Sequence, residues 1–143
     1  MATLESTVET AIEAAAGTTL TGGMYSAEEM DRGNVTLDTV LRDTNGRILP
    51  FGVLRWRGDI PGGGLHDSGR RFLEVWLYED SGYDNIRAAR RAIRKALHRQ
   101  YFTTDGESSA MGRWVGDLGE LTADELGGAS MDRVRIQFTY AWR

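Results

Sequence analysis

The chain has 143 residues, of which 41% are hydrophobic and 27% are charged, the ordinary balance of a globular protein in water. This length predicts a single domain, residues 1–143, with enough chain to bury a core. The absence of cysteine excludes disulfide frameworks, thiolate metal sites and cysteine nucleophiles. The N-terminus lacks the basic segment of a signal peptide, and no apolar run is long enough for a bilayer, so we expect the protein to stay in the cytoplasm where it is made.

The first segment has the period of an amphipathic helix. Apolar residues recur on one side at Leu4, Val8, Ala11, Ile12 and Ala15, the spacing of a helix that buries one face. Thr3 or Ser6 can cap its start, and Gly17 can end it. Residues 18–47 favour no single period, and we predict a loop there with one short helix or strand.

Two strands follow, joined by a glycine-rich segment. Residues 49–57 (LPFGVLRWR) and 70–80 (RRFLEVWLYED) are rich in aromatic and branched side chains, which predicts strands. Residues 58–69 (GDIPGGGLHDSG) contain five glycines and a proline, which predicts the long tip of a hairpin. Both faces of the second strand are apolar, so we expect it to be covered on both sides.

Residues 81–102 (SGYDNIRAARRAIRKALHRQYF) predict a strongly basic helix. Ser81 with Asp84 resembles a capping box, and an apolar stripe runs along one face at Ile86, Ala89, Ile93, Ala96 and Leu97. Basic side chains cover most of the remaining circumference, at Arg87, Arg90, Arg91, Arg94, Lys95 and Arg99. The whole chain has a formal net charge of -4, so the charge of this helix calls for an explanation.

The C-terminal part predicts a second hairpin. Residues 111–118 form a short strand pattern, and residues 119–130 (GELTADELGGAS) predict a helical turn capped by Thr122 and Glu125. Residues 131–143 alternate strictly between apolar and polar side chains, which is typical of a half-buried strand. The order of helix, hairpin, helix and hairpin predicts an α+β fold: a small sandwich of a mainly antiparallel sheet of about four strands with two helices packed on it.

Few residues suggest catalysis or metal binding. His66, Asp67 and Ser68 are consecutive, and consecutive residues cannot adopt the geometry of a hydrolase triad. Asp59, His66 and Asp67 have the chemistry of metal ligands, but they stand on a glycine-rich loop. The glycines at 62–64 precede a strand and lack the phosphate-loop pattern. We therefore expect no enzymatic activity, no catalytic or metal-binding residues and no cofactor.

The basic helix permits three interpretations. Its charges form a solvated face, contact phosphates, or meet an acidic surface of another protein. No asparagine or glutamine stands among the basic residues to read bases, and the sequence pI of about 5.2 argues against a dedicated nucleic-acid module. Acidic residues cluster elsewhere, at 5–13, 28–31 and 117–125, and such segregation of charge allows copies to pair head to tail.

Several segments together resemble the tail terminator, or tail completion, proteins of long-tailed bacteriophages. The resemblance covers nearly the whole chain: TLESTVETAIEAAAG, LPFGVLRWR, RRFLEVWLYEDSGYDNIRAARRAIRKAL and MDRVRIQFTYAWR. The family pattern of a strand followed by a helix is matched at packing positions, namely Leu73, Val75, Trp76, Tyr83, Ala88, Ile93 and Leu97. Residues 18–47 and 119–130 are longer than a minimal member needs.

The resemblance implies a hexameric ring that caps the tail tube, ends tail polymerisation and joins the tail to the head connector. Genomic DNA would pass through the ring without sequence-specific binding, and no membrane is involved. The protein would be part of the virion, assembled in the host cytoplasm. The alternative is another neck or head-completion adaptor that contacts DNA through the basic helix.

Two groups of residues are candidate contacts within this framework. On the basic helix, we predict that four residues face an acidic surface of a neighbouring subunit or a tail protein: Arg87, Arg91, Arg94 and Lys95. On the glycine-rich loop, we predict a flexible contact with a partner or the channel through Asp59, Gly62, Gly63, Gly64, His66 and Asp67, because long glycine-rich tips adapt on binding.

Overall fold

The computed structural model describes residues 3–26, 40–57, 60–61, 68–103, 109–123 and 126–141. Within these ranges the chain is α+β, as predicted, with two helices and eight strands. In chain order they are α1 (Leu4–Ala16), β1 (Met24–Ser26), β2 (Phe51–Trp56), β3 (Ile60–Pro61), β4 (Ser68–Glu79), α2 (Asp84–Leu97), β5 (Tyr101–Thr103), β6 (Ser109–Asp117), β7 (Leu121–Ala123) and β8 (Ala129–Ala141).

The strands form one sheet in the order β1-β2-β4-β8-β6-β5, with β3 beside β4 and β7 beside β8. All of these pairs are antiparallel except β1 with β2, which is parallel. The four predicted strands correspond to β2, β4, β6 and β8. The prediction of about four strands was too low because the other four are only two or three residues long, too short to show a period.

Both helices pack on one face of the sheet. Thr3 caps α1 in a reciprocal capping box with Ser6, and Gly17 follows its last turn, as the sequence predicted. The core between helices and sheet is built from apolar side chains of both layers: Val8, Ile12 and Ala16 of α1, Ile86, Ala89, Ile93 and Leu97 of α2, Leu73, Val75 and Leu77 of β4, and Val134, Ile136 and Phe138 of β8. This core fixes the apolar stripe of α2 inward and its basic residues outward.

The bounds of α2 differ from the prediction at both ends. The helix begins at Asp84, and its N-cap residue Tyr83 makes no side-chain capping hydrogen bond, so the predicted capping box at Ser81 is wrong. The helix ends at Leu97, and Arg99 has a φ of 60°, which turns the chain into β5. This tight turn needs Gly112, because a Cβ there would lie 2.3 Å from the carbonyl oxygen of Leu97.

The other face of the sheet is covered at one end. Phe51 and Tyr78 stack with ring centroids 4.8 Å apart, and Val40, Ile48 and Leu126 pack over them in a second buried cluster. Strand β4 is therefore covered on both faces near its end, as its two apolar faces predicted.

Thr122, the predicted cap of a helical turn, lies in strand β7, and residue 126, within the predicted turn, has 3₁₀-helical geometry. Residues 121–123 pair with β8 through Leu121 and Met131, Thr122 and Ser130, and Ala123 and Ala129. The predicted cap partner, Glu125, lies outside the described residues. The capping box of Thr122 and Glu125 therefore stays a prediction.

Candidate functional site

The basic face of α2 is partly neutralised by acidic side chains of the same chain. Arg87 donates two hydrogen bonds to the carboxylate of Glu120, at 2.6 and 3.1 Å. Arg90 donates to Asp117 at 2.8 Å and to Asp132 at 2.7 Å. These three acids belong to the segment that runs from the end of β6 into β8, which lies beside the helix. Residues 117–120 are therefore not the separate acidic surface that the sequence suggested.

Burial and pairing shift the pKa values of these groups in opposite directions. The hydrogen bond with Arg87 lowers the pKa of the Glu120 carboxyl and raises the pKa of the Arg87 guanidinium. Asp132 is fully buried, and this burial raises the pKa of its carboxyl, against the opposing hydrogen bonds from Arg90 and the backbone N–H of Arg133. Glu120 thus favours its charged form, whereas Asp132 carries a desolvation cost as an anion.

The other predicted contact residues of α2 are exposed. The guanidinium of Arg94 lies 5.7 Å from the centroid of the Trp114 ring, a cation–π distance. Arg91 and Lys95 are exposed, and neither forms an ion pair with any residue in the described ranges. Of the four predicted contacts, Arg87 is occupied within the chain, and Arg91, Arg94 and Lys95 present their charges outward.

A second basic surface lies on the sheet face turned away from the helices. Cross-strand register and hydrogen bonding place six arginines there: Arg55, Arg57, Arg70, Arg113, Arg133 and Arg135. The guanidinium of Arg135 lies 4.9 Å from the ring centroid of Phe72, and that of Arg133 lies 5.7 Å from the ring of Trp76. We call this surface the arginine face.

Glu74 of β4 stands at the centre of the arginine face. Its side chain is 1% exposed, and it accepts hydrogen bonds from Arg57 at 2.8 Å and Arg133 at 3.2 Å. The Nε of Arg135 lies 3.9 Å from the same carboxylate. Glu74 therefore holds three guanidinium groups in place but neutralises only one positive charge.

The arginine face has a charge opposite to that of the chain as a whole. The sequence has 17 basic and 21 acidic residues, whereas the charged side chains that the described residues place on this face are six arginines and one glutamate, and Arg55 has a further interaction of its own. Arg70 and Arg113 are exposed at the end of the face where β4 begins, so part of this charge is open to solvent.

An acidic groove lies at the opposite end of β4. It has a volume of about 510 Å³, and its charged lining residues are Asp43, Arg47, Glu79, Asp80 and Asp84, a net charge of -3. Asp43 and Asp80 accept hydrogen bonds from backbone N–H groups of residues 45–48, which holds the turn after residue 42 against the sheet. Exposed Thr18 and Thr21 complete one wall of the groove.

The predicted contact loop lies outside the described residues. This applies to Asp59, Gly62, Gly63, Gly64, His66 and Asp67, so a contact through them stays a prediction. Within the described ranges, no group of three His, Asp or Glu side chains is placed to hold a metal ion. Over the same ranges, neither helix has the length and apolar composition that crossing a bilayer requires.

Sequence reasoning missed the arginine face, although part of its signal was present. Alternation in β8 correctly put Arg133 and Arg135 on a polar face. The alignment of these residues with Arg55, Arg70 and Arg113 depends on the register between strands, and register is not readable from one strand at a time.

Comparisons with known proteins identify a solved structure that contains a chain of similar fold. No protein-family model matches the chain, and no curated protein matches it. The chain is similar to one in a solved structure described as the virion of a native gene transfer agent particle, with a TM-score of 0.60 and 11% sequence identity. The similarity covers 96% of this chain and 94% of that chain. The two chains therefore share a fold along nearly their whole lengths.

Proposed function

We propose that this chain is a structural protein of a phage-like virion. The observation that carries the proposal is the shared fold with a chain of a gene transfer agent virion, which extends over nearly all of both chains. The sequence resemblance to tail terminator proteins supports the same assignment. These two lines of support differ in kind, because the first compares backbones and the second compares packing positions in the sequence.

Within the virion, the proposed role is that of a tail terminator. A hexameric ring caps the tail tube, stops its polymerisation and joins it to the head connector, with genomic DNA passing through the channel. The tail tube protein and the connector protein are then the partners, and the role requires neither catalysis nor a cofactor. The exposed charges of Arg91, Arg94 and Lys95 support such contacts, since they have no ion-pair partner among the described residues.

The role is tested by removing the gene from a particle-producing strain and imaging the particles by negative-stain electron microscopy. A terminator defect gives tails of uncontrolled length together with unjoined heads, and both revert when the gene is supplied in trans. Tails of normal length joined to heads would overturn the proposal. Native mass spectrometry of the purified protein over a concentration series tests the ring, for which a closed sixfold species is expected.

The contact through α2 has its own test. Arg91→Glu with Arg94→Glu reverses two exposed charges, and we expect the variant to lose tail joining in the complementation assay. Its free energy of unfolding should differ from that of the wild type by less than about 1 kcal/mol. The matched control is Arg91→Lys with Arg94→Lys, which keeps both charges and should join tails normally. Equal joining by the two variants would mean that this helix face is only solvated.

A DNA-contacting adaptor of the neck is the second candidate, favoured by the basic residues of α2. Phosphate binding by Arg and Lys weakens linearly on a log–log plot of affinity against salt, with a slope of about -0.9 per phosphate contact on duplex DNA. A steep slope that flattens in the Arg91→Glu and Arg94→Glu variant would favour the adaptor over the terminator.

A further inference from the structure

We infer that the acidic groove binds a linear aliphatic polyamine. The groove lies around the end of β4 and the first turn of α2, and its volume of about 510 Å³ is within the range of small-molecule sites, about 300–1,000 Å³. Such a site is a further function of the chain, independent of the proposed role in the virion.

Glu79, the last residue of β4, supplies the observation that points to a ligand. It is 6% exposed and lines the groove. Its Oε2 atom accepts a hydrogen bond from the side-chain amide of Asn85, whereas its buried Oε1 atom has no hydrogen-bond partner among the described residues. Within the same ranges, no basic side chain forms an ion pair with Glu79. A buried carboxylate oxygen without a partner is costly, and a cationic donor that enters the groove would satisfy it.

Asp43 and Asp80 add two fixed carboxylates to the groove. Backbone N–H groups bind the Oδ1 atom of each, since Asn45 and Arg47 donate to Asp43, and Ile48 donates to Asp80. Neither acid forms an ion pair with a basic side chain in the described part of the chain. The backbone bonds hold both carboxylates in place before a ligand arrives, which lowers the entropy cost of binding.

The balance of charge in the groove favours a ligand with several positive charges. Asp84 is exposed and has its carboxylate 3.8 Å from Arg87, so it is not part of the site. The acids that remain are Asp43, Glu79 and Asp80, and they outnumber the basic side chain that lines the groove, the exposed Arg47. Three carboxylates attract a polycation more strongly than they attract a single ammonium group.

The other lining residues favour an aliphatic amine over a metal ion. Among the described residues, no group of three His, Asp or Glu side chains is placed to hold a metal, whereas an ammonium group donates up to three hydrogen bonds and needs only acceptors. The hydroxyl groups of Thr18, Thr21 and Ser81 are such acceptors. Leu49 and Pro50 are half-buried and form an apolar part of the wall, along which methylene groups can lie.

Calorimetric titration with spermidine at 50 mM salt tests the site, and the wild type should bind one molecule per chain. Glu79→Gln keeps the shape of the side chain, and we expect its affinity to be about 10- to 100-fold lower, because a charged acceptor is lost. Asp80→Asn can still accept from the N–H of Ile48 and should weaken binding about 10-fold. The matched control is Glu13→Gln, which removes an exposed carboxylate of α1 and should bind spermidine as the wild type does.

Thermal melting separates loss of the site from loss of the fold. Without spermidine, the Tm of Glu79→Gln should fall by less than about 3 °C, because the carboxylate has no cationic partner to lose. Saturating spermidine should raise the Tm of the wild type and leave that of Glu79→Gln nearly unchanged. A larger fall without spermidine would mean that Glu79 is paired within the chain, and it would overturn the inference.

Four further results would overturn the inference. The first two are a wild-type protein that does not bind spermidine and a Glu79→Gln variant that binds it equally well. The third is equal affinity for Nα-acetyl-lysine amide, which has one ammonium group and would assign the groove to a lysine side chain of a partner. The fourth is binding of Mg²⁺ that depends on Glu79 and excludes spermidine, which would assign the groove to a metal ion. None of these results bears on the imaging of tails, because the proposed contact through α2 uses no residue of this site.

Discussion

Replacing Glu74 by glutamine tests whether one buried carboxylate organises the arginine face. The substitution keeps the shape of the side chain but removes the charge that faces Arg57, Arg133 and Arg135. Breaking a buried ion pair on one side typically costs about 3–5 kcal/mol. The three guanidinium groups are 26–47% exposed and can regain water, so we expect a smaller loss of unfolding free energy, about 2–3 kcal/mol.

This loss is measurable as a change in melting temperature. An unfolding entropy of about 2.1 cal/mol/K per residue gives about 0.3 kcal/mol/K for a chain of this length, so Tm should fall by about 7–10 °C. Glu13→Gln is the matched control, because Glu13 is exposed on α1 and its substitution should change stability by less than about 0.5 kcal/mol. A decrease for Glu74→Gln below about 2 °C by calorimetry would refute the view that Glu74 holds the arginines together.

Two further substitutions test the packing around α2. Asp132→Asn leaves Arg90 facing an amide, and we expect a loss of about 1–3 kcal/mol in unfolding free energy. Because burial raises the folded pKa of the Asp132 carboxyl, its stabilising contribution is full below the unfolded pKa and is lost as the pH rises through the folded pKa. The stability difference between wild type and Asp132→Asn, measured by urea titration, should therefore shrink from acidic to neutral pH, and a difference that grows would contradict the assigned direction. Gly112→Ala places a Cβ 2.3 Å from the backbone oxygen of Leu97, and we expect a loss of about 3 kcal/mol in thermal melts. Gly52→Ala, where the nearest atom belongs to a flexible methionine side chain at 2.9 Å, should cost clearly less, and equal costs would count against the backbone clash.

The elements that were predicted correctly share a long, regular pattern. Helix α1 has a capping residue, an apolar stripe and a terminal glycine, all of which act within the helix itself. Strand β8 alternates over many residues, so its two faces were predictable from one segment alone. Strands β1, β3, β5 and β7 have two or three residues each, and their formation depends on hydrogen bonds offered by neighbours distant in the sequence.

The ends of α2 were mispredicted because tertiary geometry decides them. At the start, Gly82 has a φ of 79°, which separates Ser81 from the first helical turn and prevents the predicted capping box. At the end, the turn through Arg99 is fixed by two backbone hydrogen bonds with Gly112, one from the Arg99 N–H and one to the Gln100 carbonyl. Neither arrangement is contained in the periodicity of the helix.

The candidate contacts on α2 were predictable as a group but not one by one. The sequence placed four basic residues on the outer face of one helix, and the structure agrees with that placement. Which of them retains a free charge depends on the acids that β6 and β8 bring alongside. Arg87 meets Glu120, whereas Arg91 has no ion-pair partner among the described residues, and the two are only four positions apart on one helix.

Ion pairs within the chain explain why an acidic protein contains a basic helix. Arg87 and Arg90 bind three acids beside the helix, Asp117, Glu120 and Asp132, so this part of the helix charge stabilises the fold. On the arginine face, the single carboxylate of Glu74 is shared by three guanidinium groups, those of Arg57, Arg133 and Arg135, so positive charge is in excess among these four residues. Unbalanced charge lowers stability through self-repulsion when the chain is alone, and an oppositely charged partner removes that repulsion. The excess of positive charge on the sheet, more than the basic helix, is therefore the feature of this molecule that a neighbouring acidic surface would relieve.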